Sequence, residues 1–87
     1  SVDVDFSDVL IYPNPSKGEF NVIFASQFTS GVTILIHDLL GRKIYENKFQ
    51  SSPLFNESIQ LNNVQAGIYI LTVLDSYTTT VKKIAIN

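Results

Sequence analysis

The side chains that could carry out catalysis are few, and their spacing does not bring them together. The sequence has one histidine, no cysteine and eight carboxylates. His37 is followed by Asp38, but adjacent residues of a strand point to opposite faces, so the two are badly placed to act as a pair. The carboxylates are scattered over turns and outer faces, which does not favour a paired-carboxylate hydrolase. The sequence therefore predicts no enzymatic activity.

Sites for metals, cofactors or nucleic acids are not predicted either. Asp3, Asp5 and Asp8 resemble the start of an EF-hand loop, but the glycine and glutamate that this loop requires are replaced by Asp8 and Asn14. A phosphate-binding glycine loop is absent from the sequence. The net charge of −2 is far from the basic excess of a nucleic-acid-binding domain. We therefore expect no cofactor, no metal and no nucleic-acid partner.

The tyrosines leave one binding function open as an alternative. Tyr12, Tyr45, Tyr69 and Tyr77 could form an aromatic platform for sugars, as in a carbohydrate-binding or adhesive module. Strand tyrosines more often pack in the core or at an edge with a hydrated hydroxyl group. The alternative therefore requires an exposed row of aromatic side chains.

The elements that must position these residues are strands. Apolar and polar residues alternate along residues 19–25, with the period of a strand that has one buried face. The sequence predicts an all-β fold, an immunoglobulin-like antiparallel β-sandwich of about seven strands. Residues 68–74 form the most apolar segment and are predicted to lie at the centre of a sheet. The expected strands are residues 9–12, 19–25, 32–38, 43–49, 54–61, 68–74 and 78–86.

Prolines and glycines mark the turns between these strands. The prolines after the first strand predict a rigid, extended turn, since proline lacks an N–H group and restricts the residue before it. Gly18 and Gly41 are suited to a positive φ in their turns, because glycine has no side chain. We interpret these residues as determinants of the fold and not as contacts: Tyr12, Pro13, Asn14, Pro15, Gly18, Asp38, Gly41 and Arg42.

The chain has the length and composition of one small domain. Its 87 residues are 45% hydrophobic and 16% charged, which is typical of a globular domain. Residues 1–8 contain three aspartates and no base, and we expect them to be a linker remnant in front of a single domain at residues 9–87. The start at Ser1 and the lack of methionine predict that the chain comes from a longer protein.

Five motifs follow one another in a specific order along almost the whole chain. They are Tyr12-Pro13-Asn14-Pro15 with Gly18, Phe20 and Val22; Ile36 to Arg42; Ile44-Tyr45; Leu61 to Leu71; and Lys82-Lys83-Ile84. This ordered set resembles the type A C-terminal sorting domain of the Bacteroidetes type IX (Por) secretion system over about residues 10–87. His37 stands where this family commonly carries an aromatic residue.

The resemblance implies a sorting signal and not a catalyst. In this family the domain follows an N-terminal cargo domain, which crosses the inner membrane by its own leader and folds in the periplasm. The outer-membrane type IX translocon and its shuttle protein recognise the sorting domain. A sortase-like cysteine peptidase usually removes it, and the cargo is attached to the cell surface or released. We expect cleavage within residues 1–8 or before them, because an exposed linker is open to a peptidase.

The resemblance also implies which residues carry the signal. In this family the last two strands, here residues 68–74 and 79–86, carry most of the translocation information. A terminal strand can pair with a partner strand, and an edge-paired dimer is left open. The adjacent lysines lie on opposite faces, so at least one is solvated and able to attract an acidic partner or to protect the edge from aggregation. The implied recognition residues are Gly67, Tyr69, Lys82, Lys83, Ile84, Ala85 and Ile86.

Overall fold

The computed structural model describes residues 9–25, 31–50, 52–75 and 79–87. The expected linker remnant, residues 1–8, lies outside the described residues. Within these ranges the chain forms seven strands and no helix, and each strand agrees with the sequence prediction to within one residue at either end. The strands are β1 (Leu10–Tyr12), β2 (Glu19–Ala25), β3 (Val32–Asp38), β4 (Lys43–Phe49), β5 (Leu54–Gln60), β6 (Gly67–Leu74) and β7 (Thr79–Ile86).

The strands form two antiparallel sheets. One sheet has the order β1-β2-β5 and the other has the order β4-β3-β6-β7. This division, with each sheet taking strands from both halves of the chain, is that of an immunoglobulin-like sandwich. The prediction of this fold is confirmed. The strands β3 and β6 lie at the centre of the larger sheet, as their apolar sequences predict.

The core lies between the inner faces of the two sheets. Phe20 and Val22 on β2 are almost completely buried, whereas Glu19, the first residue of this strand, is exposed. This is the burial that the alternation predicts. Phe55 on β5 stacks on Phe24 with ring centroids 4.6 Å apart. It also makes an edge contact with Phe49 of the opposite sheet at 5.6 Å. These rings therefore join the two sheets at one end of the sandwich.

The other end of the sandwich is where the predicted turn motifs meet. Asp38, the last residue of β3, is in register with Tyr69 near the start of β6. Gly67, the first residue of β6, is in register with Ile86, the last residue of β7. We call this the C-terminal end of the sandwich. Gly18 also lies here, with φ +108° and its carbonyl oxygen accepting a hydrogen bond from the Leu61 N–H at 2.7 Å.

Candidate functional site

The residues implied by the resemblance all lie on one pair of neighbouring strands. Gly67 and Tyr69 are on β6, and the other five are on β7. Tyr69 is in register with Ile84, and Gly67 with Ile86. The structure therefore brings the seven residues together along the β6–β7 ladder.

Only some of these side chains can be touched by another molecule. Tyr69, Ile84 and Ile86 are buried in the core, and the Tyr69 hydroxyl donates to the carbonyl oxygen of Gln65 at 2.6 Å. Lys82 is half-buried on the same inward face of β7, whereas Lys83 is exposed on the outward face. The two lysines thus lie on opposite faces, as predicted, and it is Lys83 that reaches solvent.

The segment between β1 and β2 covers the outer edge of β7 near the chain's end. The Ser16 N–H donates to the Ala85 carbonyl at 3.0 Å, and the Asn87 N–H donates to the Ser16 carbonyl at 2.7 Å. The Asn14 side-chain oxygen accepts from the Ala85 N–H at 3.0 Å, and its amide nitrogen donates to the Lys83 carbonyl at 3.4 Å. We call Asn14–Ser16 the edge strap.

The edge strap changes the expectation that the terminal strand has a free edge. The backbones of Lys83, Ala85 and Asn87 already have partners on that side, around the parallel bridge between Ser16 and Ile86. Among the described residues, the backbone of Val81 has no partner beyond β6, and its side chain is 59% exposed. The C-terminal half of β7 is therefore not an open edge, because the proline-bounded turn has folded onto it.

The turn between β3 and β4 is held by the carboxylate of Asp38. The Asp38 carbonyl accepts from the Gly41 N–H, and its own N–H donates to the Arg42 carbonyl, both at 3.0 Å. This is a type I turn followed by a residue at positive φ, here Gly41 at +87°. One carboxylate oxygen accepts from the N–H groups of Leu40 and Arg42, and the other from the Arg42 guanidinium at 2.7 Å.

These hydrogen bonds also set the protonation of the turn. The hydrogen bond from the Arg42 backbone is the main cause that lowers the pKa of Asp38, with further lowering by the Arg42 guanidinium and the Leu40 N–H. Asp38 is therefore ionised and engaged by Arg42. Its neighbour His37 is half-buried on the outer face of β3.

The tip of this turn carries two exposed leucines that sequence reasoning missed. Leu39 is 67% exposed and Leu40 is 80% exposed. The signal was present in the sequence, since two adjacent leucines occupy turn positions where polar residues and glycine are usual. Their significance depends on exposure, which the sequence alone did not give.

The aromatic platform required by the carbohydrate-binding alternative is not formed by the tyrosines that the structure describes. Tyr12 is 71% exposed on β1, Tyr45 is half-buried against the core and Tyr69 is buried. Tyr45 and Tyr69 belong to the larger sheet and Tyr12 to the smaller one. Tyr77 lies outside the described residues. The exposed row is therefore not found among the described three.

The described part of the chain was compared with the requirements of a metal site and of a membrane-spanning helix. It contains no group of three or more histidine, cysteine or carboxylate side chains that could hold a metal ion. A helix of the length and apolar character needed to cross a membrane is likewise not found in residues 9–25, 31–50, 52–75 and 79–87.

Comparison with known proteins gives two similarities. A family model described as a secretion system C-terminal sorting domain matches residues 10–87. An endo-acting ulvan lyase of Formosa agariphila is 31% identical over 72 residues, which cover 79% of this chain. The chain spans only 13% of the length of that relative.

Proposed function

Because this chain belongs to the family of secretion system C-terminal sorting domains, we propose that it directs an N-terminal cargo domain out of the cell. The observation that carries this proposal is the family match over residues 10–87, which includes every strand of both sheets. The domain is a sorting signal, and we propose that it has no catalytic activity of its own. Any enzymatic activity would then belong to the cargo.

The export route that we propose is the type IX pathway. The cargo would enter the periplasm, and the outer-membrane translocon with its shuttle protein would then recognise the sorting domain. A sortase-like cysteine peptidase would cleave in front of the domain, and the cargo would reach the cell surface or the medium. The relative of which this chain spans 13% is named as an enzyme, which supports an enzyme as one kind of cargo.

We propose that the β6–β7 pair is read by the translocon through its exposed atoms. Lys83 is exposed, and its neighbour Ala85 on the same outward face is half-buried. Tyr69, Ile84 and Ile86 are buried, so in the folded domain they hold these two strands in position and do not touch a partner. An exposed lysine on an edge strand attracts an acidic surface and sets orientation.

The function is tested by fusing this chain behind a periplasm-directed fluorescent protein. The host is a bacterium that has a type IX translocon, used with and without a working translocon. We expect surface or extracellular fluorescence only in the strain with the working translocon. Intact, folded fusion held in the periplasm of both strains would contradict the proposal.

The role of Lys83 is tested in the same assay with a matched pair of charge reversals. Lys83→Glu should reduce export, because an acidic partner would then meet a like charge. Lys48→Glu changes an exposed lysine on β4, at the opposite edge of the same sheet, and should reduce export less than Lys83→Glu does. Deletion of residues 81–87 is a weaker test, because it removes Ile84 and Ile86 from the core. Equal export by the two charge variants would show that Lys83 is not read.

A further inference from the structure

The two leucines at the tip of the β3–β4 turn have no role inside the domain. Leu39 and Leu40 are 67% and 80% exposed, and they are adjacent in sequence. Scattered exposed leucines are common on protein surfaces and need no explanation. A pair of adjacent, exposed leucines in one turn is different, because both side chains can enter one pocket of a partner.

The backbone of the turn does not require leucine at either position. A type I turn followed by a positive φ depends on Asp38 at its first position and on Gly41 at the end. The two central positions accept most residues, and polar residues are usual there. The leucines therefore contribute neither to turn geometry nor to the core.

The turn is held in a single conformation before any partner arrives. Asp38 makes five hydrogen bonds to the turn through its backbone and its carboxylate, with donors or acceptors on Leu40, Gly41 and Arg42. A group that is already fixed in its bound geometry loses less conformational entropy on binding. The two leucines thus form a preorganised apolar tip.

Charge and position indicate what kind of partner would cover this tip. The next two residues are basic, and their side chains remain 74% exposed at Arg42 and 52% exposed at Lys43, although each is paired with a carboxylate, Arg42 with Asp38 and Lys43 with Glu46. The tip lies at the C-terminal end of the sandwich, where Asp38 is in register with Tyr69 of the β6–β7 pair. Both basic side chains keep exposed N–H groups beside the apolar tip, and these can donate to carboxylates on the rim of an apolar pocket.

We propose that Leu39 and Leu40 are an apolar anchor that docks into an acid-rimmed pocket on a protein of the export machinery. This inference rests on the proposed sorting function and extends the recognition surface beyond β6 and β7. The recognition surface then includes the β3–β4 turn, whose residues are predicted from the sequence only as determinants of the fold.

The experiment compares variants of the fluorescent fusion in the strain with a working translocon. The double variant Leu39→Ser, Leu40→Ser removes the apolar tip and keeps Asp38 and Gly41. We expect the affinity of the purified fusion for the detergent-solubilised translocon to fall at least about tenfold, since two leucines lose their burial. Export should fall with it, while the melting temperature stays close to that of the unchanged fusion.

Two matched variants keep the proposal falsifiable. Leu54→Ser removes an equally exposed leucine, at 64%, which pairs with Ala25 at the opposite end of the sandwich; export and affinity should be unchanged. Leu39→Met, Leu40→Met keeps the apolar character and should keep both. Loss of export in the Leu54 variant equal to that in the serine double variant would overturn the proposal.

The remaining outcomes separate this inference from the proposed function. Export of the unchanged fusion together with full export of the serine double variant would overturn the anchor and leave the sorting function standing. No export of the unchanged fusion would contradict the sorting function itself. Leucine-dependent binding of the domain to phosphatidylglycerol vesicles, or leucine-dependent dimerisation in sedimentation, with unchanged translocon affinity, would assign the tip to a membrane or to a second copy and overturn the proposal.

Discussion

The Asp38 carboxylate holds the β3–β4 turn by hydrogen bonds. Both oxygens of Asp38 accept hydrogen bonds from the turn, two of them from the backbone and one from the Arg42 guanidinium. The backbone donors are fixed by the turn itself, so they do not depend on the exposed Arg42 side chain. An exposed ion pair alone contributes little to stability, and the backbone hydrogen bonds are the more important contacts.

The pH dependence of this turn follows from the lowered pKa of Asp38. Its main cause is the hydrogen bond from the Arg42 backbone. A carboxyl whose pKa is lower in the folded state stabilises the fold above its ordinary value of 3.8. This stabilisation is lost as the pH falls from that value through the folded-state pKa. We expect the protection of the Leu40 and Arg42 amides, taken relative to their intrinsic exchange rates, to fall over this acidic range, as measured by NMR.

The variant Asp38→Asn is the control for this effect. Asparagine keeps an oxygen that accepts the two backbone hydrogen bonds but does not titrate. We expect the turn of this variant to lose its dependence on pH below the ordinary aspartate pKa. The same acid-induced loss of protection in both proteins would show that another group is responsible.

At the level of elements, the edge strap determines how the terminal strand can be used. The strap bonds to the backbone of Lys83, Ala85 and Asn87, and it leaves Val81 without such a partner in the described residues. An incoming strand can therefore pair directly only with the N-terminal half of β7. The strap also protects the other half from unspecific pairing, which is the usual hazard of an edge strand.

The substitution Asn14→Ala tests the hold of the strap on β7. It removes the side-chain bonds to the Ala85 N–H and the Lys83 carbonyl. We expect a loss of about 0.5–1.5 kcal/mol in the free energy of unfolding. Amide exchange at Ala85 should become faster, because its N–H then faces water.

A matched asparagine gives the reference for this measurement. Asn56 lies exposed on β5 in the smaller sheet, and Asn56→Ala should change stability by no more than about 0.5 kcal/mol. If Asn14→Ala left the exchange at Ala85 as slow as Asn56→Ala does, the strap would be held by Ser16 alone.

For the whole molecule, charge is divided between the two sheets. The strands β1, β2 and β5 carry Glu19 and Glu57 and no base, whereas the strands of the larger sheet carry four lysines against Asp38 and Glu46. The larger sheet also holds the β6–β7 pair and the turn with the exposed leucines. An acidic partner is therefore attracted to the sheet on which the proposed contacts lie.

The core of so small a domain depends on a few large side chains. Phe55 is 1% exposed and contacts Phe24 and Phe49. We expect Phe55→Ala to reduce the free energy of unfolding by about 3–5 kcal/mol. Since native domains are stable by only about 5–15 kcal/mol in total, the variant should lose a large part of its stability, as measured by denaturant unfolding followed by circular dichroism.

The neighbouring residue provides the control for this substitution. Leu54 precedes Phe55 on the same strand but is 64% exposed. Leu54→Ala should change stability by no more than about 0.5 kcal/mol. Equal destabilisation by the two substitutions would mean that the contacts of Phe55 are not what holds the two sheets together.

The sequence alone determined the strands, their buried faces and the class of the fold. Phe20 and Val22 alternate with polar neighbours, and the apolar stretch 68–74 became the central strand β6. Gly18 and Gly41 do adopt positive φ angles. Such features were predictable because alternation and turn chemistry depend on residues that are close in sequence. The ordered motifs also identified the family, which the match over residues 10–87 confirms.

Only the tertiary structure decided which surfaces remain open. Asn14 bonds to Ala85, which is 71 positions away, and no local pattern specifies that contact. The burial of Tyr69, Ile84 and Ile86 beside the exposed Lys83 depends on which face of β7 meets the other sheet. The exposure of Leu39 and Leu40 depends on which other segments pack against their turn. These properties arise from the packing of segments that are distant in sequence, and they determine what a partner can touch.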